Sequence, residues 1–191
     1  MSRHVLGVVV RLTLTFAVPV VVFALLLDPW RDAEASTVAG IMGNLGFAGA
    51  SHAFGHQILV LPSAAAPFLA TVSPSCSALA AILAFGSISL FLVRGDPMRR
   101  LVAFLAASAI VVACNLLRIG LSVYVGLQTD VKGMTLFHDW VGTAFGLLYV
   151  LGGFTVYLWM LLPSNRRLLA EYTRAREQRE PGPAREMEPA P

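Results

Sequence analysis

The chain has 191 residues, 57% hydrophobic and only 13% charged, with a mean hydropathy of +0.72. That composition excludes an ordinary soluble domain and indicates an all-α integral membrane protein. A formal charge of +3 with no basic stripe interleaved with aromatics argues against a nucleic-acid partner; two cysteines are too few for a disulfide framework, and no Cys/His cluster has metal-ligand spacing.

Arg3 and Arg11 flank an apolar run that reaches Leu27. No small-x-small cleavage site closes it, so it reads as a retained anchor and not a signal peptide. A spanning helix needs about 20 mostly apolar residues, and four stretches qualify: about 5–27, 77–93, 101–127 and 140–162. The expectation is a bundle of about four transmembrane helices over residues 1–163, followed by a charged tail, 164–191, disordered toward its end. No motif implies a cofactor.

Between the first two spans lie two weaker segments. Residues 37–53 carry Gly40, Gly43, Gly46 and Gly49, a spacing suited to a close-packed helix face or a helix lying on the bilayer. Residues 57–72 contain Pro62, Pro67 and the run Ile58-Leu59-Val60-Leu61, which reads as a short strand or hairpin.

Orientation follows the lysine and arginine asymmetry of the loops. Arg94, Arg99 and Arg100 fill one turn, and Arg166, Arg167, Arg174, Arg176, Arg179 and Arg185 follow the last span. Only Arg31 and Lys132 fall on the opposite side. Both termini are therefore expected in the cytoplasm of a multi-pass plasma-membrane protein. The Asp28–Ser75 loop, with its hairpin, is expected outside.

This topology gathers three reactive residues at the outer side. Cys76 precedes the second span, where helix-end amides favour a thiolate, with Ser75 and Ser77 as capping residues. His138 opens the last span and suits a general base for that thiol. Asp139, adjacent in sequence, is expected to hold the N-terminal cap instead of orienting the ring. His52 and His56 rank lower, because neither opens a strong span. Arg118 lies about nine residues inside the third span, about 13 Å below its end. A permanent cation there requires an anion, a wet cavity or a snorkelling path. Asn115 shares its face and suits donation into the same cavity. Cys114 and the Gly142/Gly146 pair read chiefly as packing features.

Three motifs carry a resemblance: Ser75-Cys76-Ser77-Ala78-Leu79, Asn115-Leu116-Leu117-Arg118-Ile119 and His138-Asp139-Trp140-Val141-Gly142. In this order, with a strand-like lead-in, they resemble the exosortase/archaeosortase family of membrane cysteine transpeptidases. The resemblance covers about residues 57–153. It implies an enzyme that cuts a C-terminal sorting signal from secreted proteins through a thioester and passes them to a lipid or glycan acceptor. Cys76 would be the nucleophile, His138 the acid/base and Arg118 the stabilising cation. Ala78 departs from the family's usual glycine, and the chain resembles a minimal core, since many relatives carry further spans. The competing expectations are a non-catalytic scaffold that uses Arg118 for helix pairing and a small anion transporter. No inverted repeat favours the transporter.

Overall fold

A computed structural model describes residues 3–47, 49–92, 96–162 and 173. Arg94 and, apart from Thr173, the tail from Ser164 lie outside these residues. The structure is 77% helical with a small three-stranded sheet, so the all-α membrane class and the hairpin ahead of the cysteine are both present. Three helical stretches are long and apolar enough to cross a bilayer: Gly7–Asn44, Pro97–Gln128 and Val131–Leu161. A fourth apolar helix, Leu79–Phe91, is shorter.

The first helix, α1, runs Arg3–Asn44 and carries Pro19 and Pro29 inside it. It therefore continues through Asp28 instead of ending at Leu27. The fall in hydropathy there marks a change of environment from lipid to protein, not a change of backbone. Ala35, Val38, Ala39 and Met42 on this second half are buried. Gly46, at φ +86°, stops the helix: Phe47 N–H returns to Met42 C=O and Gly46 N–H to Gly43 C=O, the paired closure a left-handed glycine permits. The glycine spacing does not make one packed face. An added Cβ at Gly40 or Gly43 would meet nothing, whereas at Gly49 it would meet Leu61 O and Leu127 Cδ2 at 2.8 Å.

Three antiparallel strands follow, β1 Ala50–His52, β2 Gln57–Val60 and β3 Phe68–Thr71, in the order β1-β2-β3. Period-two alternation puts Ile58, Val60, Ala70 and Val72 on one face. That face packs on α1 and on Ile119, Val123 and Leu127. A 3₁₀ turn, Pro74–Cys76, then leads to α2, Leu79–Ser87, which ends in a π-turn, Ile88–Leu92.

Asp96 caps α3, Pro97–Gln128, by accepting from Met98 N–H. At this end Arg99 donates to the carbonyls of Met160 and Leu162, tying α3 to the end of the last helix. The last helix begins earlier than the expected Trp140. Asp130 accepts from Gly133 N–H and starts α4, Val131–Phe137. The helix passes through a π-turn, His138–Gly142, into α5, Thr143–Leu161. His138 therefore sits inside a continuous helical stretch and does not open one. A second core of Phe85, Ala103, Ala107, Val111 and Tyr157 joins α2, α3 and α5. Gly153 lets α5 approach α3, since a Cβ there would stand 2.9 Å from Val111 Cγ2.

Candidate active site

Cys76 belongs to the core under the sheet, and Ala78 belongs to the core between α2, α3 and α5. The reactive sulfur thus sits at the seam of the two packing units. Pro74 starts the 3₁₀ turn, and Cys76 N–H closes it on Ser73 C=O at 3.0 Å. The thiol is 6% exposed and points at His138: Sγ lies 2.8 Å from Nε2. Arg118 reaches the same nitrogen, with Nη2 at 3.2 Å. The three residues singled out in the sequence therefore meet at one atom.

Asp139 Oδ1 lies 3.1 Å from His138 Nδ1, so its carboxylate orients the ring and does not cap a helix. By accepting a hydrogen bond from Nδ1–H, it leaves Nε2 as the ring's acceptor, on which the thiol at 2.8 Å and Arg118 Nη2 at 3.2 Å converge. The Ser73 hydroxyl lies 2.9 Å from Sγ and donates to it once it is ionised. Burial pushes the Cys76 thiol up. The hydrogen bonds with His138 and Ser73 and the positive charges of His138 and Arg118 outweigh it and bring the pKa down to about 7.

Behind these groups lies a network that the sequence did not reveal. Glu34, 4% exposed on α1, accepts from Ala78 N–H at 2.9 Å and from Asn115 Nδ2 at 3.0 Å through one oxygen. Asn115 Oδ1 in turn accepts from the Tyr149 hydroxyl at 2.9 Å. Asn115 is thus beside Arg118, as expected, but its amide is committed to holding three helices together. Glu34 thus holds the amide of Ala78, the residue that precedes α2. Of the two serines expected as caps, Ser77 Oγ accepts from Leu79 N–H at 3.3 Å, while Ser75 bonds Ser73. Arg31, also on α1 and buried, donates to Val72 C=O at 2.5 Å and fixes the strand that leads to the cysteine. The signal for Arg31 and Glu34 was their i, i+3 spacing. It was hidden because the segment read as a loop.

Gly142 is more than a packing residue. A Cβ there would stand 3.0 Å from Arg118 Nε, so the missing side chain makes room for the guanidinium. That Nε is buried and without a partner among the described residues. His52 and His56 are not brought to the thiol. His52 bonds Asp32 at 3.0 Å and joins β1 to α1. Cys76 and Cys114 are both free thiols.

Two cavities adjoin the site, with His138 in the wall of both. One, of about 230 Å³, lies between the sheet, α3 and α4, with Cys76 and His138 in its wall. The other, of about 570 Å³, lies toward α2 and α5 and is walled by Ser75, Ser77, Arg118, His138, Asp139 and Tyr149 among others. Among the described residues no group of His, Cys, Asp and Glu is arranged to hold a metal. Chemically, the site has a thiol of lowered pKa, a base within proton-transfer distance, a carboxylate orienting that base, and a fixed cation beside it. Those are the parts of nucleophilic acyl transfer.

A family model described as transmembrane exosortase matches residues 4–163. No match was found among the curated proteins or the solved structures.

Proposed function

From the premise that the chain belongs to the transmembrane exosortase family, a family of membrane transpeptidases, we propose that it cleaves a C-terminal sorting signal from secreted proteins by attack of Cys76. The observation that carries this reading is the 2.8 Å approach of Sγ to His138 Nε2 with Arg118 on the same nitrogen. Transfer of the thiol proton to Nε2 gives a thiolate and an imidazolium. The thiolate adds to the scissile carbonyl carbon. The oxyanion so formed draws on Arg118, whose Nη2 loses its acceptor once His138 Nε2 is protonated. Collapse breaks the C–N bond, and His138 returns the proton to the leaving amine. The N-terminal part of the substrate remains as a thioester on Cys76, and the C-terminal stub departs.

An acceptor amine or hydroxyl, on a lipid or a glycan, then adds to the thioester while His138 removes its proton. The expelled thiolate closes the cycle. The excess of basic residues in the loop and tail supports a reading with both termini in the cytoplasm and the site on the extracytoplasmic side. The scaffold alternative has less support: Arg118 is 6% exposed and faces inward to His138, which leaves it little surface for a partner helix.

The test is mass spectrometry of the mature C-termini of secreted proteins in cells with the native chain or Cys76→Ala. The expected result is that a set of proteins loses its C-terminal helix only with the native cysteine, through an intermediate that hydroxylamine releases. Identical C-termini in both strains would refute the reading.

A further inference from the structure

The main chain of β3 has a free side, and that side leads to the sulfur. Val72 N–H donates to His56 C=O, and Ala70 and Phe68 stand opposite Ile58 and Val60. Hydrogen-bonded pairs recur at every second residue of an antiparallel ladder, so Phe68, Ala70 and Val72 turn their main-chain groups toward β2. Leu69 and Thr71 turn theirs away, off the sheet, because β3 is the outermost strand. Among the described residues no backbone hydrogen bond beyond the sheet takes those outward groups. Ser73 continues the extended backbone, at φ −74° and ψ 160°, into the turn that carries Cys76.

The smaller cavity, between the sheet, α3 and α4, reaches this edge. Four consecutive residues, Ala70 to Ser73, line it. Ile58, Ala70 and Val72 enter it from the core face of the sheet, with Ile119 and Val123 of α3 beneath them, while Thr71 points to the other face, so the cavity lies under the sheet and reaches the β3 edge at Thr71. Met134, Thr135 and His138 of the facing helix form the opposite wall, and Cys76 lies in the same cavity. Thr71, one of the two residues with outward main-chain groups, therefore shares this space with Cys76, and Leu69 continues the same edge away from it.

We propose that the outer edge of β3 is the docking ledge for the substrate polypeptide, which adds to the sheet as a fourth strand. Such strand addition uses main-chain hydrogen bonds for affinity. The added segment is the one N-terminal to the scissile bond, since the C-terminal side is a membrane helix and has no free main-chain groups to give. It therefore runs parallel to β3, exchanges hydrogen bonds with Leu69 and Thr71, and brings its carbonyl to Sγ. This proposal rests on the transpeptidase reading above.

The experiment uses the purified full chain in detergent with a synthetic peptide that spans a cleavage site mapped by the mass spectrometry above and includes its membrane segment. Single backbone amides N-terminal to the cleaved bond are N-methylated in turn. Expected is an alternation, with every second N-methyl group slowing turnover about tenfold or more and the intervening ones changing it less than about twofold. In parallel, Thr71→Pro removes an outward N–H without touching a bond to β2; it is expected to slow turnover by about the same factor while the rate of Cys76 alkylation stays unchanged. A uniform loss along the N-methyl series, or none, overturns the docking ledge and leaves the transpeptidase reading intact. Absence of any C-terminus that depends on Cys76 overturns both.

Discussion

At the scale of single residues, the behaviour of the site is set by what surrounds one sulfur. Burial alone would keep Cys76 protonated, and its partners reverse that, bringing the pKa down to about 7. The sign of the consequence is fixed: the thiolate is lost as pH falls through about 7 and gained as it rises. Alkylation of Cys76 by iodoacetamide should accordingly climb with pH through a midpoint near 7. In His138→Ala the opposing effect of burial dominates, so the midpoint should move upward; stopped-time mass spectrometry of the labelled chain reads both curves. Glu34 is a second single-residue case. Its carboxylate satisfies Ala78 N–H and the Asn115 amide. Glu34→Ala strands two buried donors, which costs about 1–3 kcal/mol each. Expected are a lower Tm and slower processing, whereas Glu34→Gln, which keeps one acceptor oxygen, should recover most of the stability.

At the scale of elements, the π-turn His138–Gly142 matters most. It lets one helical stretch present His138 to the thiol and Gly142 to Arg118. Alanine is the better helix former, so Gly142→Ala should leave the helix intact or firmer. Its Cβ would nevertheless displace a guanidinium 3.0 Å away, and turnover should fall about tenfold or more, as when one oxyanion donor is removed. Unchanged helicity with lost activity, by circular dichroism and peptide cleavage, is the expected pair of results. This element also marks the limit of what the sequence made legible. Hydropathy located the spans, and permanent charge in an apolar run singled out Arg118. The same measure ended α1 at Leu27 and began the last helix at Trp140, because polar residues that face protein look like residues that face water. Arg31 and Glu34 were misplaced for that reason. Tyr149 gave no signal at all, since a lone tyrosine in an apolar helix is ordinary. The Asp130-x-x-Gly133 cap was present in the sequence, but a weak local signal cannot outweigh a hydropathy boundary.

At the scale of the whole molecule, the two cores divide the work. One ties the sheet to α1 and α3, the other ties α2, α3 and α5 together, and the reactive groups lie where they join. The contacts of Arg99 with Met160 and Leu162 sit at the far ends of α3 and α5 from that seam. If the basic end faces the cytoplasm, a membrane-impermeant maleimide applied to intact cells should label Cys76 of the native chain, and a cysteine placed at Arg99 should react only after the membrane is opened. Labelling in the reverse order would invert the orientation.

The short path between sulfur and imidazole has an electrical consequence. Moving one elementary charge across a whole membrane at 100 mV involves about 2.3 kcal/mol. The thiol's proton moves only within a 2.8 Å contact, roughly a tenth of a hydrocarbon layer about 30 Å thick, so voltage changes this step by no more than about 0.2 kcal/mol. Ionising the pair also adds no net charge to the interior. The cell's energisation state therefore leaves ionisation of the Cys76 thiol almost untouched, and a depolarised cell keeps its sulfur in the same state as a polarised one.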